Sequence, residues 1–330
     1  MNRIRTLALV ASAVAVLTSC GLVAEGDATS GGSPAAGYPV TIDNCGAEVT
    51  FDAAPEQVVL LKSSAVPFLA ALDVLDTVTA RAGEYPRDYY GDATWAALEQ
   101  IPALTGKTDT SGHLLISKEV VIGEEPDLVL GEVDNLSRDT LDDVGIPLIE
   151  EPAMCAEGLE GPGFDDVHAQ MTTYGEVFGR TEEAVAANAA LEERLTELGS
   201  RVSPGEERTA AVLYPTVGGG VTYAYGTRSM AHPILEAAGF ENVFADTDER
   251  VFEVTREDLI GRDPDVLVLL HSGGDPADVE EAVTSLPGVE SITAVADGNL
   301  LPLLFNYVEP PTPLALDGLE QILERFGSGG

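Results

Sequence analysis

Basic residues are scarce in this chain: 17 Lys and Arg stand against 56 Asp and Glu over 330 residues, a formal charge of −39. Phosphate contacts need basic surface, so this balance excludes nucleic acid as a partner. It implies a solvated, self-repelling surface, with a preference for a cationic ligand as the other reading. Histidine is scarce too, at positions 113, 168, 232 and 271. His168 falls on the polar face of a helix, and His113, His232 and His271 show no paired ligand spacing. That argues against a bare Zn or Mn site built from three histidines and a carboxylate. Catalytic signatures are missing: there is no G-x-S-x-G elbow, no Walker loop, no G-x-G-x-x-G after a strand and no H-E-x-x-H. The Gly-rich "TVGGGVTY" (Thr216 to Tyr223) joins two extended pieces and lacks a following Lys-Ser/Thr, so it reads as a turn. Nothing marks an enzyme or a resident cofactor.

Long apolar runs are also missing. The longest near the start, "TLALVASAVAVL" (Thr6 to Leu17), falls short of the ~20 residues that span a bilayer. Preceded by Arg3 and Arg5, it reads as the apolar region of an export leader. It ends in "LTSC", which resembles the lipobox of bacterial lipoproteins, where cleavage leaves Cys20 to carry a diacylglycerol. A plain leader with a chance cysteine is the alternative. The Gly-rich stretch that follows suits a flexible tether. Of three cysteines, Cys45 and Cys155 then remain as an even pair in an oxidising compartment: a disulfide, or two unrelated thiols.

What is present is an α/β pattern. "VTIDNCGAEVTF" alternates around a turn and predicts a hairpin; "QVVLLK", "TVTARAG", "DLVLG" and "IPLIEEP" predict buried strands separated by helices. The order restarts with "RTAAVLYP", "VTYAYG", "DVLVLL" and "NLLPLLF". Between the halves, a 3–4 apolar spacing from Phe164 and a restart with Thr181 as N-cap predict a long helix running to about Arg201, a stiff connection. "SKEVVIGEEPDLVL" (Ser117 to Leu130) and "TREDLIGRDPDVLV" (Thr255 to Val268) align without gaps, one copy in each half. The expectation is two doubly wound lobes with mainly parallel sheets, joined by one long backbone helix. Boundaries fall at 1–19 (leader), 20–39 (tether), 40–160 (first lobe), 161–203 (helical linker) and 204–330 (second lobe).

Two such lobes, one joining helix, a lipobox and a tether resemble the substrate-binding lipoproteins of ABC importers for siderophores, haem and cobalamin. The repeated phrase carries the likeness, supported by "GTRSMAHPILEAAGFENVF" (Gly226 to Phe244). The resemblance implies a monomer held outside the cytoplasm on the cell membrane through its lipid anchor. It captures a ferric-siderophore, or haem, cobalamin or a deazaflavin precursor, for a permease dimer driven by a cytoplasmic ATPase. It also implies that the glutamate in each copy of the phrase, Glu119 and Glu257, docks on permease arginines. A Glu in a first helical turn also has a purely structural reason to be there. Ligand contacts are expected on loops after the strands: Ser63, Ser64, Arg81, Tyr85 and Glu132 in the first lobe, and Tyr214, Tyr223, Tyr225, Arg228, His271, Phe305, Asn306 and Tyr307 in the second. Loop packing or capping is the alternative for each. Arg81 and Arg228 are the candidate partners of an anionic chelate.

Overall fold

The computed structural model describes residues 37–108, 114–202 and 208–327. The leader, Cys20, most of the tether and His113 lie outside them. The described chain opens with β1 (Val40–Asn44) and β2 (Ala47–Phe51), paired antiparallel. Their two-residue turn, Cys45-Gly46, has positive φ at both positions, the geometry that matches the twist of a hairpin. Cys45 is disulfide-bonded to Cys155, with Cα atoms 5.2 Å apart. The bridge ties the hairpin to the end of the first lobe.

That lobe contains β3 (Val58–Leu60), α1 (Val66–Ala71), β4 (Val78–Ala82), α2 (Asp92–Leu98), β5 (Ala103–Thr105), α3 (Lys118–Ile122), β6 (Leu128–Leu130), α4 (Arg138–Asp142) and β7 (Leu148–Ile149). Its strands run parallel in the order β5-β4-β3-β6-β7. Short β-branched and leucine runs suit this sheet because both of its faces are covered. The order reverses between β3 and β6, so a crevice opens beyond their carboxyl ends.

Two helices follow, α5 (Phe164–Val177) and α6 (Thr181–Gly199), packed against each other. The sequence reading made α6 the single connection; α5 is its partner along the joint. They approach closely where a Cβ on Gly175 would lie only 2.5 Å from that of Ala184. Thr181 is the first helical residue of α6 rather than its cap, and Arg180 holds the cap position.

The second lobe contains β8 (Arg208–Pro215), β9 (Thr222–Tyr225), α7 (Ala231–Ala237), β10 (Phe240–Asn242), β11 (Val251–Val254), α8 (Arg256–Arg262), β12 (Val266–His271), α9 (Pro276–Thr284), α10 (Thr293–Ala296), β13 (Leu300–Leu304) and α11 (Leu314–Phe326). The sheet order is β11-β9-β8-β12-β13, with β10 beside the first half of β8. Here the βαβ pattern is interrupted. β9 runs antiparallel to β8 and β11, because the short Thr216–Val221 link cannot make a parallel crossover. The remaining pairs are parallel.

The repeated phrase occupies the same place in both lobes, a helix leading into the strand beside the lobe's first strand. Its Asp is a clamp. Asp127 accepts from the amides of Glu56 and Gln57 at 2.8 and 2.9 Å, at the start of β3. Asp265 accepts from the Thr209 amide at 2.8 Å and its hydroxyl at 3.0 Å, at the start of β8. Just before each Pro, Glu125 (φ 52°) and Asp263 (φ 45°) sit in the left-handed region, a costly turn for residues with a Cβ. The phrase thus encodes a helix stop, a left-handed turn and a strand clamp.

Each sheet buries its outer face in a local cluster, one around Val59, Val129 and Leu148 and the other around Leu213, Leu267 and Leu269. The inner faces pool. Val58, Leu60, Phe68, Met171, Tyr174, Val212, Val268, Ile234 and Leu319 belong to one buried body that runs through both lobes and the joining helices. On its outside, Arg194 of α6 bonds Asp317 and Glu320 of α11, both at 2.7 Å.

The two acids that recur in both copies of the phrase should behave differently when truncated. Asp265→Ala leaves a part-buried amide and hydroxyl unpaired and is expected to cost about 1–2 kcal/mol. Glu257→Ala, on the exposed surface, is expected to stay within about 0.5 kcal/mol of the parent. Urea denaturation of both variants checks the assignment.

Candidate functional site in the interlobe cleft

A cleft of about 450 Å³ opens where the strand ends of the two lobes face each other. From the first lobe come Leu61 to Ser64 after β3, Gly83 and Glu84 after β4, and Glu132 to Asp134 after β6. From the second come Ser272 after β12, and Phe305, Asn306 and Pro310 after β13. Both sets of loops lie at the carboxyl ends of parallel strands, as topology dictates.

Packing under the cleft floor fixes the position of Lys62. Its stem crosses Gly131, where a Cβ would sit 2.9 Å from Lys62 Cγ and where φ is +98°. Only glycine serves both demands without strain. The Lys62 ammonium then reaches Glu150 Oε2, on a side chain only 2% exposed. Glu150 also accepts from the amides of Glu132 at 2.8 Å and Glu151 at 2.7 Å. Its backbone is held by Asn44, whose side-chain oxygen accepts from the Glu150 amide at 2.9 Å and whose amide nitrogen donates to the Glu150 carbonyl at 2.8 Å. The hairpin and its disulfide therefore brace the carboxylate that holds Lys62.

Glu151 lies beside it, buried, and accepts from the Tyr174 hydroxyl at 3.0 Å. Burial, together with the neighbouring Glu150, pushes the Glu151 carboxyl up to about 8. Its second oxygen has no hydrogen-bond partner among the described residues.

Across the cleft the lobes are bonded directly. The Asn306 side chain donates to Ser63 Oγ at 3.0 Å, and the Asn306 amide donates to the Tyr89 oxygen at 2.8 Å. The Tyr307 hydroxyl donates to the Asp88 carbonyl, and its ring meets that of Tyr89 edge-on at 5.1 Å. Burial pushes the Tyr307 phenol up to about 12 and that of Tyr89 higher still, so both remain protonated at neutral pH. Tyr214 bonds Ser272 at 3.0 Å and packs edge-on against Phe305.

Of the residues singled out in the sequence, Ser63, Ser64, Glu132, Phe305 and Asn306 line the cleft. Tyr214 and Tyr307 stand directly behind that wall. His271 is buried, with Nδ1 3.1 Å from the Gly273 carbonyl, and shapes the loop carrying Ser272. Tyr223 lies half-buried on β9, away from the lining. Tyr85 and Tyr225 are interior residues: the Tyr85 hydroxyl donates to the carbonyls of Leu60 and Ala82 at 3.3 and 3.2 Å, and Tyr225 is 3% exposed. Arg81 lies over the Tyr85 ring at 4.9 Å. Arg228 donates to the carbonyls of Leu159 and Glu157 at 3.2 and 2.9 Å, fastening the segment after Cys155. Neither arginine lines the cleft.

Lys62, Glu84, Tyr89 and Ser272 line it without having been singled out. Tyr89 had a signal, since it falls in the irregular aromatic stretch after β4. Lys62 had none, because as the last residue of an apolar run it reads as the end of a strand. Among the described residues no group of three or more His, Cys, Asp and Glu is arranged to hold a metal ion.

Glu119 and Glu257 are exposed, each in the first turn of its short helix. The helix-terminal amide of Glu119 itself, and Ser117, hold the Glu119 carboxyl below its usual range. For Glu257 the adjacent Arg256 guanidinium does so.

A family model described as periplasmic binding protein matches residues 58–303. The fold is similar to the crystal structure of an ABC-type Fe3+-hydroxamate transport system protein from Saccharomonospora viridis, at 53% identity and a TM-score of 0.84, covering 88% of this chain and all of that one. A cobalamin-binding protein of Halobacterium salinarum is 27% identical, covering 98% of this chain and 85% of its own. An uncharacterized ABC transporter substrate-binding lipoprotein of Bacillus subtilis is 24% identical over 95% of this chain and 94% of its own.

The buried carboxyl behind the cleft makes stability depend on pH. The Glu151 carboxyl titrates near 8 in the fold and near 4.5 when exposed, so between those values the unfolded chain binds fewer protons. Stability therefore falls as pH rises through that window, by on the order of a few kcal/mol. Glu151→Gln keeps the volume and an acceptor for Tyr174 but cannot ionise. Its melting temperature should exceed the parent's at pH 8 and converge with it near pH 4; equal melting curves at pH 8 would refute the assignment.

Proposed function

This chain belongs to the periplasmic binding protein family, and from that premise we propose that its interlobe cleft captures a ferric hydroxamate-type siderophore for delivery to an ABC permease. The family is non-catalytic: the chain is an extracytoplasmic solute-binding protein related to those of iron-chelate and cobalamin importers. One observation carries the ligand class, the 53% identity over 88% of the chain with a protein of an Fe3+-hydroxamate transport system. The cleft agrees in kind. Its volume is in the range of small-molecule sites, and it combines apolar walls (Leu61, Leu114, Met154, Phe305) with a few directed polar groups. Ser63, Ser64, Tyr89, Glu132, Phe305 and Asn306 form the proposed contact set.

Cobalamin is the second reading, favoured by the Halobacterium salinarum relative. Titration of the purified protein with ferric hydroxamates, ferric catecholates, haem and cobalamin separates the two. The expected outcome is micromolar or tighter binding of a ferric hydroxamate, with cobalamin weaker by at least about tenfold. Cobalamin binding alone would overturn the assignment.

Delivery needs an address and a dock. Cys20 in "LTSC" is the proposed lipid-attachment site, a reading supported by the Bacillus subtilis relative being named a lipoprotein. Glu119 and Glu257, exposed at matched places in the two lobes, are the proposed contacts with a permease dimer coupled to a cytoplasmic ATPase. The binding protein acts there as a monomer. Rim charges of this kind orient a complex more than they tighten it. The double change Glu119→Ala/Glu257→Ala should leave chelate affinity within about twofold and abolish uptake by cells. Undiminished uptake would remove the docking role.

A further inference from the structure

We infer that the cleft selects its chelate by charge, taking a ferric tris-hydroxamate that carries a pendant ammonium group, with Glu84 and Glu132 as the groups that hold it. The inference rests on the reading of the cleft as a ferric hydroxamate site. Among the described residues, Lys62 is the one basic side chain lining the cleft, and its charge is already matched by the buried carboxylate of Glu150. The two arginines suited to an anionic ligand stand outside the lining: Arg81 lies over Tyr85 with its Nε unpaired among the described residues, and Arg228 is bonded to the carbonyls of Glu157 and Leu159.

Two carboxylates that line the same cleft have no partner among the described residues. Glu132 is half-buried; its amide is fixed by Glu150 while its carboxylate is left over. Glu84 reaches toward the facing lobe, with Oε2 3.7 Å from where a Cβ on Gly273 would lie. One carboxylate therefore stands beside the floor and the other at the seam between the lobes.

The chemistry of the candidates then divides them. Three hydroxamates each lose one proton and together balance Fe3+, so the complex is neutral, and a free amine on the chelator makes it a cation. Three catecholates each lose two protons and leave the complex with three negative charges. Entering this cleft, such an anion meets unpaired carboxylates, exposed on Glu84 and half-buried on Glu132, with no free cation among the described lining residues to offset them. An ammonium instead supplies the missing partner and forms a charge-assisted hydrogen bond.

Calorimetric titration with two matched probes tests this: the ferric complex of a linear tris-hydroxamate ending in a free amine, and that of the same molecule with the amine acetylated. They share the iron centre and differ by one charge. The ammonium form should bind about tenfold more tightly at low salt, and the preference should shrink as salt is raised. The double change Glu84→Gln/Glu132→Gln should bring the two affinities within about twofold of each other. Equal affinities in the parent, or a preference that survives the double change, would overturn the charge inference and leave the hydroxamate reading standing. If neither complex binds, the hydroxamate reading fails and this inference fails with it.

Discussion

The inner faces of the two sheets share one hydrophobic body, and the rest of the structure depends on that. Val58 and Leu60 of one lobe and Val212 and Val268 of the other are buried in the same cluster as Met171 and Tyr174 of the joining helices. Drawing the lobes apart would expose those side chains, at roughly 25 cal/mol for each Å² of apolar surface uncovered. The bonds from Asn306 and Tyr307 to Ser63, Tyr89 and Asp88 add directional restraint at the cleft floor. Opening the cleft by separating the lobes therefore costs both packing and hydrogen bonds. Glu119 and Glu257 are carried by the two lobes that this buried body joins, which suits the docking role proposed for them.

Much of this architecture was legible because it obeys local rules. Buried parallel strands read as unbroken runs of Val, Leu and Ile. The duplicated phrase marked two equivalent half-units, since the same backbone problem was solved twice with the same residues. The sequence could not show that its Asp clamps the neighbouring strand: Glu56 and Gln57 lie far from Asp127 along the chain, and only pairing brings them together. The reading of mainly parallel sheets assigned β9 no direction. Its strand pattern was correct, but direction depends on the length of the preceding link rather than on the strand itself.

The site was legible in its positions and less so in its chemistry. Residues placed at strand ends by topology, such as Ser63, Glu132 and Asn306, do line the cleft. Arg81 and Tyr85 also sit at the end of a strand, yet they pack against each other away from the lining. The alternation of side chains about a strand separates those outcomes, and near a strand end one residue of register is enough to reverse them. Arg228 was taken up by backbone carbonyls of a segment distant in sequence, which no spacing encodes.

Acidity looked uniform in the composition, but the fold divides it by burial. Glu150 is buried and paired with Lys62, so it fixes geometry and cancels the one basic group that lines the cleft among the described residues. Glu151 is buried without a cation of its own and is held as the neutral acid at physiological pH. Glu119 and Glu257 stand in open solvent, where salt screens them beyond about 8 Å and leaves them suited to orientation rather than affinity. Glu132 falls between these extremes, half-buried beside apolar walls, where a charge counts for more than at the surface. Exposed charges more than about 8 Å from the cleft are largely screened there. The ligand's charge preference is therefore set by the few carboxylates that the fold leaves unpaired inside the cleft, not by the acidity of the chain as a whole.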